Sequence, residues 1–234
     1  MAIIKSEKIK ANNDIIDRVL SDIDSEDRAL IFVDFSFTEE QIELLAAKAD
    51  RLDYVSSNDI YRLASKRQKL SKEFIEKHKD KVNWPAICQY QHLTEYFMRE
   101  MKSFIVWDIA SKHQTLSEAF IDEMSEYVDW DTICEYQTLS EQFMTEHEDN
   151  MDWKNVSIYQ VLSHDFIAKF KDCLYWAGIC LSQTLSQADI EEFKDYVVWR
   201  YVATKQTLTE KTKTDFAEEL KPYLPVAASE SADE

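Results

Sequence analysis

All six tryptophans of this chain fall on one register: Trp84, Trp107, Trp130, Trp153, Trp176 and Trp199, each 23 residues after the last. Seven residues after each comes a glutamine: Gln91, Gln114, Gln137, Gln160, Gln183 and Gln206. Two residues further on sit Leu93, Leu116, Leu139, Leu162, Leu185 and Leu208, with Leu70 opening the series. Ser or Thr follows every one of them, as Ser71, Thr94, Ser117, Ser140, Ser163, Ser186 and Thr209. Phe74, Phe97, Phe120, Phe143 and Phe166 come next, each followed by Ile or Met. Self-similarity at a fixed short period is the signature of a repeat architecture.

Each unit reads as two short helices. Ser or Thr after the leucine is an N-cap whose hydroxyl accepts from an orphan backbone N–H. Glu73, Glu95, Glu118 and Glu141 in the following turn suit the positive end of the helix dipole. Phe120, Ile121 and Met124 make one buried stripe. A second cap precedes the tryptophan as Asn83, Asp129 and Asp152, and Pro85 stands in a first turn, where its missing N–H does no harm. The second helix buries Trp130, Ile133 and the small Cys134; Cys88, Ser111, Ser157, Cys180 and Ala203 are the matching small positions, a sign of close helix packing. Helices of about eight to ten residues are marginal alone, so each pair must shelter on the pairs before and after it. The expectation is an all-α fold, an α-solenoid of short two-helix repeats with N- and C-terminal caps.

The ends depart from the pattern. Gln68 and Tyr61 sit one register before Gln91 and Trp84, so 37–69 reads as a degenerate unit lengthened by roughly ten residues. Residues 1–36 carry no register and read as an N-terminal cap; within them Ile31-Phe32-Val33-Asp34-Phe35 is a short strand or a buried helix. Six 23-residue repeats occupy 70–207, and 208–224 reads as a C-terminal cap, with Asp189 and Thr212 in place of phenylalanine and Pro222 where a tryptophan was due. Residues 225–234, PVAASESADE, are expected to be a disordered tail.

The pattern L-S-x-x-F-I, then V-D/N-W-x-x-I, then Q-x-L-S resembles short tandem repeats found in many proteins of large DNA viruses and tailed phages. Leu116-Ser117, Phe120-Ile121, Val128-Asp129-Trp130, Ile133 and Gln137-Thr138-Leu139-Ser140 match it throughout one unit, and the likeness covers about residues 70–210. The resemblance implies viral or phage origin and a helical-repeat fold, and it brings no catalytic residues.

Chemistry is sparse. Gly178 is the single glycine, which leaves no phosphate-cradling loop, dinucleotide fingerprint or nucleophile elbow and argues against a turn-rich β fold. The N-terminal stretch holds no signal-peptide core, no run of about 18 apolar residues spans a membrane, and Cys88, Cys134, Cys173 and Cys180 form no CxxC pair. A cytoplasmic protein without cofactor or metal is expected. His78 and His147 occupy a register position held elsewhere by Met101, Met124, Phe170 and Phe193 and read as packing residues; His92 and His113 have no second ligand at helical spacing. No enzyme is expected. The recurrent glutamine invites a reading as a ladder for a bound peptide, but a residue present in every unit reads first as satisfying turn N–H and C=O groups. The tryptophans likewise read as core and not as an aromatic cage.

What varies between units is charge. The chain carries 27 Lys and Arg against 45 Asp and Glu, a net of −18. Residues 116–138 hold seven acids and no base, and 139–161 hold five acids and one base, so −11 is concentrated in two adjacent units. Solvated surface is the plain account. The functional one takes Asp122, Glu123, Glu126, Asp129, Asp131, Glu135, Glu146, Glu148, Asp149 and Asp152 as a patch that attracts a basic protein, such as a host defence or nucleic-acid-binding protein, and inhibits it. The same charge repels DNA and RNA, so nucleic acid is not an expected partner, and without a spanning apolar run neither is a membrane. Two other readings stand: a scaffold or virion-associated protein that self-assembles through repeat ends, and an enzyme with its site in residues 1–36. Oligomeric state is not readable from the sequence.

Overall fold

A computed structural model describes residues 9–10, 35–49 and 56–224. The chain is all-α, an α-solenoid of short two-helix repeats, and divides into two compact units, Met1–Tyr127 and Val128–Glu234. The first unit holds α1 (Glu39–Ala49), α2 (Ser57–Arg67), α3 (Lys72–Lys77), α4 (Trp84–Tyr90), α5 (Glu95–Glu100), α6 (Trp107–His113) and α7 (Glu118–Glu123). The second holds α8 (Trp130–Tyr136), α9 (Glu141–Glu146), a 3-10 turn at Glu148–Asn150, α10 (Trp153–Tyr159), α11 (His164–Phe170), α12 (Trp176–Ser182), α13 (Gln187–Glu192), α14 (Trp199–Lys205), α15 (Glu210–Asp215) and α16 (Ala217–Leu220). A two-residue parallel pair, β1 (Ile9–Lys10) with β2 (Phe35–Ser36), precedes them. Of the run 31–35 only Phe35 is described, as strand; the rest of that run and the tail 225–234 lie outside the described residues.

Every Ser or Thr after a register leucine caps its helix: the hydroxyls of Ser71, Thr94, Ser117, Ser140, Ser163, Ser186 and Thr209 each accept from the N–H three residues on. Asn83, Asp129 and Asp152 cap second helices in the same way. From α3 to α15 the helices run six or seven residues, shorter than the sequence suggests, because each second helix stops at its register glutamine in extended backbone. In 37–69 both helices are eleven residues long, which accounts for the lengthening.

Second helices stack on second helices: α2 on α4 and α4 on α6 in the first unit, and α8 on α10, α10 on α12 and α12 on α14 in the second. Ile87, Ala110, Ile133, Val156, Ile179 and Val202 are all fully buried. Phe120, Ile121 and Met124 form the expected stripe. Each aromatic of a second helix packs on the repeat that follows. Tyr61 meets Phe74 and His78, Trp107 meets Phe120, Trp130 meets Phe143, Trp153 meets Phe166 and Phe170, and Trp199 meets Phe216. Only Trp84 and Trp176 are fully in the core, while the other four indoles are half-buried. Where Asp189 and Thr212 displace phenylalanine, Phe193 and Phe216 supply the ring from one helical turn further on.

The single glycine serves packing and not a turn. A Cβ on Gly178, inside α12, would stand 2.9 Å from Ile158 Cγ1 and 3.0 Å from Tyr175 Cδ1. Among the described residues no turn uses positive φ, so the turns need no glycine.

Candidate functional site

A helix C-terminus leaves carbonyls that a left-handed glycine cap would ordinarily help to satisfy. Here the glutamine of the next repeat takes them. Gln160 Nε2 donates to the Cys134 and Gln137 carbonyls at the end of α8, both at 2.8 Å, while its Oε1 accepts from the Leu139 N–H at 3.0 Å. Gln91, Gln114 and Gln206 repeat this three-bond staple on the repeat before each of them. Gln183 keeps the bond to the Gln160 carbonyl at 2.8 Å, but its other two are longer, 3.3 Å from Leu162 N and 3.5 Å to the Ser157 carbonyl. Gln68 belongs to the same series, its Oε1 accepting from Phe37 N at 3.1 Å. In Gln91, Gln114, Gln160, Gln183 and Gln206 the amide nitrogen and oxygen are both turned inward on the preceding repeat, the geometry of a structural staple and not of a ladder offered to a ligand.

Three other per-repeat devices escaped the sequence reading. The small position is also an acceptor for the N–H of the next repeat's cap residue: Ser65 Oγ for Asn83 at 3.1 Å, Cys88 Sγ for Val106 at 3.4 Å, Ser157 Oγ for Tyr175 at 2.9 Å and Cys180 Sγ for Val198 at 3.3 Å. The fixed offset of 18 residues between partners was the available signal. Glu95 and Glu141, taken as dipole partners, and Glu39, which the repeat register did not single out, reach the N-cap serines Ser117, Ser163 and Ser71 of the next repeat. Trp84, Trp107 and Trp176 donate Nε1 to the carbonyl five residues earlier.

Against this frame the ten acidic residues separate. In the first unit Asp122, Glu123 and Glu126 are exposed, but both oxygens of Glu123 accept from Arg99, one from Nε and one from Nη2, and that bond keeps its carboxyl below the usual range. In the second unit Asp129 and Asp152 are half-buried and serve as caps, Asp152 Oδ1 accepting from Lys154 N at 2.9 Å and Asn155 N at 3.1 Å. Asp131 lies exposed on the first turn of α8 and Glu135 half-buried near its end. Glu146, Glu148 and Asp149 are exposed at the end of α9 and on the 3-10 turn after it. Glu146 joins Glu141, Asp165 and Lys169 in a groove of about 320 Å³ between α9 and α11. Asp131, Glu135, Glu146, Glu148 and Asp149 form no ion pair among the described residues. The units differ in charge: 18 bases against 24 acids in Met1–Tyr127, and 9 against 21 in Val128–Glu234.

Groups with chemical potential are occupied. Burial pushes the Cys88 and Cys180 thiols up and Cys134 to about 11, so these sulfurs stay protonated near neutrality. His78 packs on Tyr61 and Phe74, with Nε2 at 2.8 Å from Glu43 Oε1. His164, Asp189 and Ser186 are adjacent but form no relay. Asp189 Oδ1 meets His164 Nδ1 at 2.6 Å and its Oδ2 takes the Ser186 N–H, while His164 Nε2 faces Glu192 at 3.4 Å and not a hydroxyl. Among the described residues no group of three or more His, Cys, Asp or Glu is placed to hold a metal ion, and no helix is long and apolar enough to cross a membrane.

No family model, curated protein or solved structure matches the chain.

Proposed function

We propose that this chain is a non-enzymatic, protein-binding repeat module whose second unit captures a basic protein surface. The observation that carries the reading is the run from 113 to 153, which holds twelve acids and no Lys or Arg. Five of those acids, Asp131, Glu135, Glu146, Glu148 and Asp149, are left without a cation of their own. The two helices and the 3-10 turn fix the backbone positions from which these carboxylates project. A patch of one sign steers an oppositely charged protein toward it and repels a polyanion. The natural partner is a surface built to hold nucleic acid, a host defence or nucleic-acid enzyme, which the module would occupy and inhibit; the likeness to viral and phage repeats belongs to the same proposal.

The test is capture by the full chain against a variant carrying Asp131→Lys, Glu135→Lys, Glu146→Lys, Glu148→Lys and Asp149→Lys. Asp129 and Asp152 stay untouched, because losing a cap would confuse unfolding with loss of binding. A protein retained by the native chain, released by duplex DNA or high salt, and absent with the variant is the expected result. Equal capture by both chains overturns the reading.

A further inference from the structure

The repeat frame separates positions that pack from positions that face outward. Counted from Tyr61 in α2 or Trp84 in α4, the third and fourth residues are fully buried: Ala64 and Ser65, Ile87 and Cys88. The first, fifth and sixth are exposed: Arg62, Lys66 and Arg67 on α2, and Pro85, Gln89 and Tyr90 on α4. The same slots on α8 hold Asp131, Glu135 and Tyr136. One geometry therefore carries opposite signs of charge in different repeats, which is how a solenoid surface is given distinct ligands without altering its core.

Between α2 and α4 these slots enclose a groove of about 380 Å³. Arg62 and Lys66 line it from one side and Gln89 and Tyr90 from the other, with Leu63 and Pro85 supplying apolar wall. Lys66 Nζ stands 6.0 Å from the Tyr90 ring centroid and has no carboxylate partner among the described residues. Arg62 gives one N–H to Asp59 Oδ1 at 3.2 Å, while Asp59 Oδ2 is already engaged by Ser56. A guanidinium has five N–H donors, so most of its fork remains available to a second carboxylate. Tyr90 is 49% exposed, an aromatic face presented beside two cations. Residues 56–92 hold eight Lys and Arg against four acids, the reverse of the balance in the whole chain.

We propose that the α2–α4 groove binds an acidic peptide segment of a partner protein. Its carboxylates pair with Arg62 and Lys66, and an apolar side chain lies against Leu63, Pro85 and the Tyr90 ring. This site lies in the first unit and shares no residue with the acidic set of the second. A nucleic acid is the weaker occupant, because a phosphate chain needs a continuous cationic track. Beside this groove Asp59 and Asp80 share the adjoining depression with Arg62 and Lys81 and interrupt such a track. The cavity suits two or three side chains of one short segment.

Fluorescence anisotropy on the full chain tests this, with a labelled peptide of glutamates broken by one leucine, the same peptide with lysines for glutamates, and a single-stranded oligonucleotide. The acidic peptide binds and the lysine peptide is not held at this groove. Arg62→Glu with Lys66→Glu weakens the acidic peptide by about tenfold or more, the scale of removing charge pairs at an interface. Tyr90→Ala weakens it by a smaller factor, and raising salt mimics the double change. All three positions are exposed, and unchanged circular dichroism of the variants separates lost binding from lost fold. An acidic peptide that fails to bind, or binds the double variant equally well, overturns the proposal. So does an oligonucleotide that binds more tightly and is lost in the same variants. The five-lysine variant of the second unit leaves this binding intact, so the two surfaces succeed or fail separately.

Discussion

Replacing Gln160 with leucine tests the bond that replaces a glycine cap. Gln160 is 4% exposed and makes three hydrogen bonds of 2.8–3.0 Å to backbone groups of the preceding repeat. Leucine keeps roughly the volume but leaves the Leu139 N–H and the Cys134 and Gln137 carbonyls without that partner. A buried polar group that loses its partner costs about 1–3 kcal/mol. Taking the low end for each of three groups, because water can reach a repeat junction, gives about 3 kcal/mol. Against a typical domain stability of about 5–15 kcal/mol this is a large fraction. With a urea slope of about 2 kcal/mol/M, the midpoint falls by about 1.5 M. Gln183→Leu is the internal comparison: two of its three bonds are longer and its side chain is half-buried, so about 1 kcal/mol is expected. Gln160→Glu sharpens the test. The carboxylate still accepts from Leu139 but turns its second oxygen on two carbonyls, which raises its folded-state pKa above the unfolded value. That variant is less stable than Gln160→Leu near neutrality and recovers as pH falls through the raised pKa, because a protonated carboxyl donates again. Urea melts followed by far-ultraviolet circular dichroism read all three variants. A Gln160→Leu midpoint within error of the native chain, or Gln183→Leu costing more than Gln160→Leu, refutes the reasoning.

Three further outcomes follow from the same frame. Ser157→Cys is expected to be nearly silent and Ser157→Val to cost about 1–3 kcal/mol in a thermal melt, since only the first keeps an acceptor for the Tyr175 N–H. Gly178→Ala gains about 1 kcal/mol of helix propensity but drives a Cβ to 2.9 Å from Ile158, an overpacking cost of about 1–3 kcal/mol, so it destabilises on balance. Ile158→Ala in the same chain relieves that clash, and a double-mutant cycle with no coupling between the two sites contradicts the contact. His164 is held above its ordinary pKa, chiefly by its bond to Asp189. A raised folded-state pKa adds stability that is complete below the unfolded value of about 6.5 and fades as pH rises through the folded one. His164→Asn removes that slope, which chemical melts across pH 5.5–8.5 would show as a flatter profile; an unchanged slope counts against the pair.

Much of the frame was legible because each repeat solves the same problem with the same residues. Ser117, Phe120, Ile121, Trp130 and Gln137 sit at fixed offsets, and caps, stripes and staples are local consequences of those offsets. The long-range chemistry was harder to read. That Ser157 and Cys180 are interchangeable follows from their shared power to accept an N–H 18 residues away, which appears in the sequence only as smallness. Glu141 read as a partner of its own helix dipole, and its reach to Ser163 of the next repeat was not visible; nor was the Arg99 bond that removes Glu123 from the free surface, while Asp129 and Asp152, legible as caps, are engaged by the capping N–H groups. Composition counts charge without regard to partners, so it overstated the patch by the acids already committed to holding repeats together. The groove between α2 and α4 was missed for the converse reason: its cations are few, spread over Arg62 and Lys66 in a unit whose net charge is negative, and only the stacking of two helices brings them to one wall with Tyr90 opposite. A repeat spends its invariant residues on the neighbour before and after it. What the molecule recognises must then be sought in the outward slots, where Arg62 and Lys66 in one repeat become Asp131 and Glu135 in another while the pair between them, Ala64-Ser65 or Ile133-Cys134, stays fully buried.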